Sequence, residues 1–172
     1  MKTDTYENLI KLHRRYGPQE FGKLSQKFLA IGFRMAGYDH IVERGVQGVD
    51  VDVAGESGQK YTIEVKTTLT RHINFGEKDV VGLLKRKKDG YLPVLAVLRL
   101  DRFSTWIFAK ADTIKSGSLF ISSLRPYRLS ELEDSICPFF DEAVNQHFHG
   151  AMLESQKYLD NVLRQKGIEV SP

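Results

Sequence analysis

Gly48-Val49-Asp50-Val51-Asp52-Val53 and Tyr61-Thr62-Ile63-Glu64-Val65-Lys66-Thr67-Thr68 decide how this chain folds. Each half alternates apolar and polar residues, the period of a half-buried strand. Between them lies Ala54-Gly55-Glu56-Ser57-Gly58-Gln59-Lys60, which is turn chemistry. The stretch therefore reads as a β-hairpin. Val49, Val51 and Val53 share one face with Tyr61, Ile63 and Val65, and Asp50, Asp52, Glu64 and Lys66 share the other. A turn centred on Ser57 puts Asp50 directly opposite Glu64, within cross-strand reach. Carboxylates on adjacent strands suit Mg²⁺, a hard cation that takes oxygen ligands and retains water. Such a metal offsets phosphate charge and lowers the pKa of a bound water. A lysine two residues after a carboxylate can stabilise charge that develops on the phosphate. The competing reading is a solvated hairpin face whose charges serve solubility and cross-strand pairing.

Working outward, residues 1–16 read as one helix and 19–36 as a second. Gly17-Pro18 breaks them, with Pro18 placed to open the second. Phe21, Leu24, Phe28, Ile31 and Met35 make an apolar stripe that ends at Gly37. A short strand over 38–42 and a turn over 43–48 lead into the hairpin. Downstream, 69–75 reads as a loop or strand end, and 77–88 as a helix with Lys85-Arg86-Lys87-Lys88 in its last turn. Residues 91–100 are almost continuously apolar, as in a strand buried on both faces. Residues 105–109 form another strand and 119–124 a short one. Ser130 is placed to cap a helical turn with Glu133 as its box partner. Residues 138–165 read as helical, kinked near Gly150. Two units follow: a core over 1–115, and a mainly helical extension over 116–172 that packs on the core or forms a dimer contact.

The order of these elements and two motifs carry a resemblance. Gly48-Val49-Asp50 followed by Ile63-Glu64-Val65-Lys66 resembles the signature of the PD-(D/E)XK nuclease superfamily. The run from Val80 through Lys85-Arg86-Lys87-Lys88-Asp89-Gly90 into Leu92-Pro93-Val94-Leu95-Ala96-Val97 is similar to archaeal Holliday-junction resolvases and restriction-type nucleases. The resemblance spans about residues 18–110. It implies an α/β fold with a restriction-endonuclease-like mixed sheet flanked by helices, and Mg²⁺-dependent hydrolysis of DNA phosphodiesters, with Mn²⁺ as a substitute. By position it implies Asp50 and Glu64 as metal ligands, the Val65 carbonyl in the same shell, and Lys66 as the catalytic lysine. Asp52 is the alternative first acid. Many relatives carry a glutamate in the first long helix; here that position holds Gln26, with Glu20 and Glu43 as other acids nearby. Two-fold symmetric cutting implies a homodimer.

The remaining features narrow the reading. The chain has 172 residues, 41% hydrophobic, with a net charge of +3, which permits a DNA partner without requiring one. Arg71 and Lys85, Arg86, Lys87 and Lys88 are candidate phosphate contacts; a solvated helix end is the competing reading for the four-residue run. A single cysteine, Cys137, excludes an intrachain disulfide framework and a cysteine-rich zinc site. His147 and His149 lie on different helix faces, against a metal site there. Trp106 reads as core. No apolar run is long enough to cross a bilayer and no signal-peptide pattern opens the chain, so a cytoplasmic location is expected.

Overall fold

The structure, a computed structural model, describes residues 1–45, 48–56 and 58–171. In chain order the elements are α1 (Thr3–Met35), β1 (Tyr38–Arg44), β2 (Val51–Gly55), β3 (Lys60–Thr68), β4 (His72–Phe75), α2 (Glu77–Lys87), β5 (Leu92–Arg99), β6 (Trp106–Lys110), β7 (Gly117–Phe120), a 3-10 helix (Ile121–Tyr127), α3 (Ser130–Glu154), α4 (Gln156–Gln165) and β8 (Glu169–Ser171). Six strands form one mixed sheet in the order β6-β5-β3-β2-β1-β8, and β4 and β7 form a two-stranded one. β3 with β5 and β1 with β8 are parallel; the other pairs are antiparallel. This is a mixed α/β sheet flanked by helices, as the hairpin and its neighbours imply.

The hairpin register agrees with the sequence. Val51 faces Ile63 and Ala54 faces Lys60, a pairing centred on position 57. Ser57 itself, like Val46 and Gln47 in the preceding turn, lies outside the described residues. Alternation fails at Val49. β2 begins only at Val51, and Val49 packs with Ile73, Leu83, Leu95 and Val97 rather than with Val51 and Val53. Gly48 is the reason: it has φ +98° and lies against α2. A positive φ is open to glycine with no steric penalty. It turns the chain there and resets the faces.

The sheet separates two apolar layers. Val51, Val53, Ile63, Val94, Ala96, Leu98 and Phe108 point towards α1, α3 and α4, where Phe28, Phe33, Ile136 and Leu159 meet them. Leu95, Val97 and Ala109 point the other way, towards α2 and the small sheet. β5 is therefore buried on both faces, which explains its unbroken apolar run. Burying one such side chain fully contributes about 1.5–3 kcal/mol. Trp106 is 1% exposed and meets Phe140 edge-on at 5.2 Å, a core residue as its neighbours indicate.

α1 contains the expected break: Gly17 has φ +77° and ψ +174°, so the helix kinks before Pro18. The C-terminal part departs further from the sequence reading. α3 starts at Ser130, and Pro138 sits inside it. Glu133 does not close a capping box with Ser130. Its carboxylate accepts the Phe108 N–H at 3.0 Å and is clasped by Arg128. The helix breaks at Ser155 (φ +52°), not near Gly150. Gly150 is a packing site instead: a Cβ there would lie 2.3 Å from the Tyr158 ring of α4. The expected strand over 119–124 is divided between β7 and the 3-10 helix. β8, three residues long, adds an edge strand with no pattern long enough to read. Among the described residues no helix is long and apolar enough to cross a membrane.

Candidate functional site

The site is assembled where β2 and β3 meet beneath α2. Asp50 precedes β2, and its N–H donates to the Ile63 carbonyl at 2.9 Å. Its carboxylate Oδ2 accepts the Val65 N–H at 2.8 Å. These two bonds hold the acid across the hairpin from Glu64. Glu64 is 5% exposed, and its Oε1 accepts the Lys66 ammonium at 2.7 Å. Its Oε2 is buried and has no hydrogen-bond partner among the described residues. Lys66 Nζ makes a second ion pair with Asp79 Oδ2 at 2.7 Å. Asp79 in the first turn of α2 also accepts the Gly76 N–H at 2.9 Å, so the same carboxylate anchors the helix start and the lysine.

Electrostatics follow from this crowding. Burial pushes the Asp50 carboxyl up to about 6, although the Val65 N–H and the lysines at positions 23 and 66 oppose it. Burial and the Asp50 charge push Glu64 up to about 8, against the pull of Lys66. Burial alone would lower Lys66, but the Glu64 and Asp79 carboxylates outweigh it and hold the ammonium above its ordinary value. Two carboxyls that resist ionisation beside a lysine that resists deprotonation mark a site short of positive charge.

The other sequence candidates separate into groups. Asp52 shares the sheet face but is fully buried and engaged: Arg44 and Arg86 both reach its Oδ2, each at 2.9 Å. Arg86 also pairs with Asp89 at 2.6 Å and lies over the Tyr91 ring, and Lys87 pairs with Asp112 at 3.1 Å. The run is therefore divided: Lys85 and Lys88 are exposed, while Arg86 is turned back to the fold. Arg71 is exposed beyond the end of β3.

Gln26 is buried on α1, and its amide nitrogen shares its two hydrogens among Glu43 Oε1 at 2.6 Å, the Arg44 carbonyl at 2.8 Å and the Asp50 carbonyl at 3.1 Å. A glutamine suits this place because a glutamate would set an acceptor against three acceptors. Glu43 is itself paired with the buried Lys27 at 3.1 Å. Glu20 points elsewhere, to Ser155 and Gln156. Sequence reading misses Asp79, whose one signal is an acid three residues past Gly76 in the first turn of a helix. It also misses Lys23, one helical turn before Gln26 and acting electrostatically on Asp50 and Glu43.

Among the described residues no three His, Cys, Asp or Glu side chains group as a metal centre. His147 bonds the Tyr158 hydroxyl and Cys137 the Thr105 hydroxyl, consistent with packing roles for both. No family model matches the chain, and no curated protein matches it. Among solved structures the chain is similar to Hjc, a Holliday junction resolvase from the archaeal hyperthermophile Archaeoglobus fulgidus. Identity is 16%, the TM-score 0.46, and the alignment covers 58% of this chain and 84% of that one.

Proposed function

We propose that the chain is a metal-dependent endodeoxyribonuclease that hydrolyses DNA phosphodiester bonds, in a restriction-like or junction-resolving role. One observation carries the reading: Asp50, Glu64 and Lys66 meet on one face, with Glu64 Oε2 buried and unpartnered. Two raised carboxyls and an orphaned oxygen fit a divalent cation. Asp50, Glu64 and the Val65 carbonyl would hold it, with water and a substrate phosphate completing a shell of the kind Mg²⁺ prefers. Mn²⁺ substitutes. When bound, the cation supplies a water of lowered pKa and offsets phosphate charge. Asp52 is the less suitable ligand because two arginines already hold it. Lys66 keeps its proton at neutral pH, so its role is to stabilise charge on the phosphate and orient the attacking water, not to act as a base. Asp79 positions that lysine. Cutting both strands with one site per chain calls for a homodimer on DNA.

The test is cleavage of a four-way junction, a linear duplex, a flap and a single strand, each with Mg²⁺ or Mn²⁺. Asp50→Asn and Lys66→Ala are expected to lower the rate by about 100-fold or more, with folding intact. Full activity in both variants would refute the site. A second reading is a nuclease fold that binds DNA without cutting it. Gln26 favours it, bringing an amide where the resemblance implies a carboxylate. It predicts salt-sensitive DNA binding and no cleavage with any divalent metal.

A further inference from the structure

A cleft of about 790 Å³ opens beyond the carboxyl end of β3, between β6, β7 and the 3-10 helix. Four arginines line it: Arg71, Arg99, Arg125 and Arg128. Two of them have acidic partners, Arg99 with Asp101 at 3.0 Å and Arg128 with Glu133. Arg71 and Arg125 have none among the described residues. Arg99 Nε is buried and also lacks a hydrogen-bond partner. The cleft is therefore cationic, with two guanidinium groups that no carboxylate neutralises among the described residues. Guanidinium groups match phosphate with paired N–H donors.

The same cleft carries two exposed aromatic rings. Phe103 is 93% exposed and Phe120 is 56% exposed. Phe120 is braced from behind by His72, with ring centroids 4.0 Å apart. Exposed apolar groups gathered in one cleft mark an interaction site, whereas singly scattered ones do not. A duplex hides its base faces in its own stack, whereas an unpaired base has a free face to stack on an aromatic ring. The volume lies in the range of ligand sites, about 300–1,000 Å³. Position adds a third argument. Thr68 pairs with Arg99 across β3 and β5, and Lys66 stands two residues before Thr68, about 7 Å along the strand. Ile107 and Ile121 of the cleft wall pack against the apolar layer beneath α2, on the face that carries Glu64 and Lys66.

We propose that this cleft binds an unpaired DNA strand, its phosphates on Arg71 and Arg125 and a base against Phe103 or Phe120, and feeds it to the Asp50-Glu64-Lys66 face. The feeding role rests on the nuclease reading; the binding role does not.

Fluorescence anisotropy with a short labelled single strand and its duplex, in EDTA, tests the binding separately from cleavage. The Arg71→Ala/Arg125→Ala double variant is expected to weaken single-strand binding at least tenfold. Its log-log salt slope should fall by about 1.4, the loss of two phosphate contacts. Phe103→Ala/Phe120→Ala is expected to weaken single-strand binding by a similar factor, with an unchanged salt slope and unchanged duplex binding. Circular dichroism confirms that each variant is folded. Single-strand binding at the wild-type level in both double variants overturns the proposal. So does an equal loss on duplex in the phenylalanine variant, or displacement of the strand by micromolar 5′-mononucleotide. Adding Mg²⁺ to the wild type reports separately on the nuclease reading. Absent cleavage with intact cleft effects would refute the nuclease and keep the cleft.

Discussion

Burial of the Glu64 carboxyl should make the stability of this fold depend on pH. A carboxyl whose pKa is raised by folding holds its proton better folded than unfolded, so stability falls as pH rises through the window between the two values. For Glu64 that window runs from the ordinary carboxylate range near 4 up to about 8, and for Asp50 up to about 6. Lys66, also raised, loses its contribution only above the ordinary lysine range, outside this window. The metal-free protein should therefore melt several degrees lower at pH 8 than at pH 5, for a cost on the order of 1–3 kcal/mol. Glu64→Gln should flatten that profile. Added Mg²⁺ should raise the melting temperature of the wild type at pH 8 and have far less effect on Glu64→Gln. A wild-type profile flat from pH 5 to 8 would count against the crowded-carboxyl account.

At the scale of elements, the site depends on how closely α2 approaches the entry to β2. A Cβ built on Gly82 would lie 2.3 Å from the Gly48 carbonyl oxygen, and one on Gly48 would lie 2.7 Å from the Lys78 carbonyl. Backbone meets backbone here, so no side-chain rotation relieves the clash. Asp79 and Arg86 lie on the same helix and reach Lys66 and Asp52 only at this distance. Gly82→Ala should cost roughly 1–3 kcal/mol in urea unfolding, since the helix must shift outwards. Gly22→Ala is the contrast. Its Cβ would meet Thr67 Oγ1 at 3.7 Å, an ordinary contact, so it should be neutral or stabilising by up to about 1 kcal/mol. Equal effects in the two variants would mean that glycine flexibility, and not close approach, governs this region.

Across the whole molecule, one buried lysine joins three elements. Lys27 of α1 is 4% exposed and pairs with Glu43 of β1 at 3.1 Å and Asp160 of α4 at 2.7 Å. Glu43 in turn accepts from Gln26, which supports the Asp50 carbonyl. α4 is thus linked to the carboxylate site through a chain of polar contacts. Removing one partner of a buried pair strands the other, at about 3–5 kcal/mol. Lys27→Met should lose about that much in denaturant unfolding at pH 7. Burial already holds the Glu43 carboxyl above its ordinary value, and without Lys27 it rises further. The penalty should therefore shrink as pH falls and Glu43 protonates. A penalty independent of pH would point to lost packing, not stranded charge.

Taken alone, the sequence determined the hairpin, its register about position 57, the kink at Gly17, the doubly buried β5 and the candidate acids Asp50, Asp52 and Glu64 beside Lys66. These are local: period-2 alternation, turn residues and uninterrupted apolar runs each act within a few residues. Only the tertiary structure decided the rest. It turned Val49 to the α2 side, gave Asp52 to two arginines, divided the basic run, and brought Asp79 to Lys66. It also placed Arg71 and Arg125 beside two exposed phenylalanines. Each outcome depends on how elements distant in sequence pack together, and the pattern of a single segment does not encode which charged neighbour packing will supply.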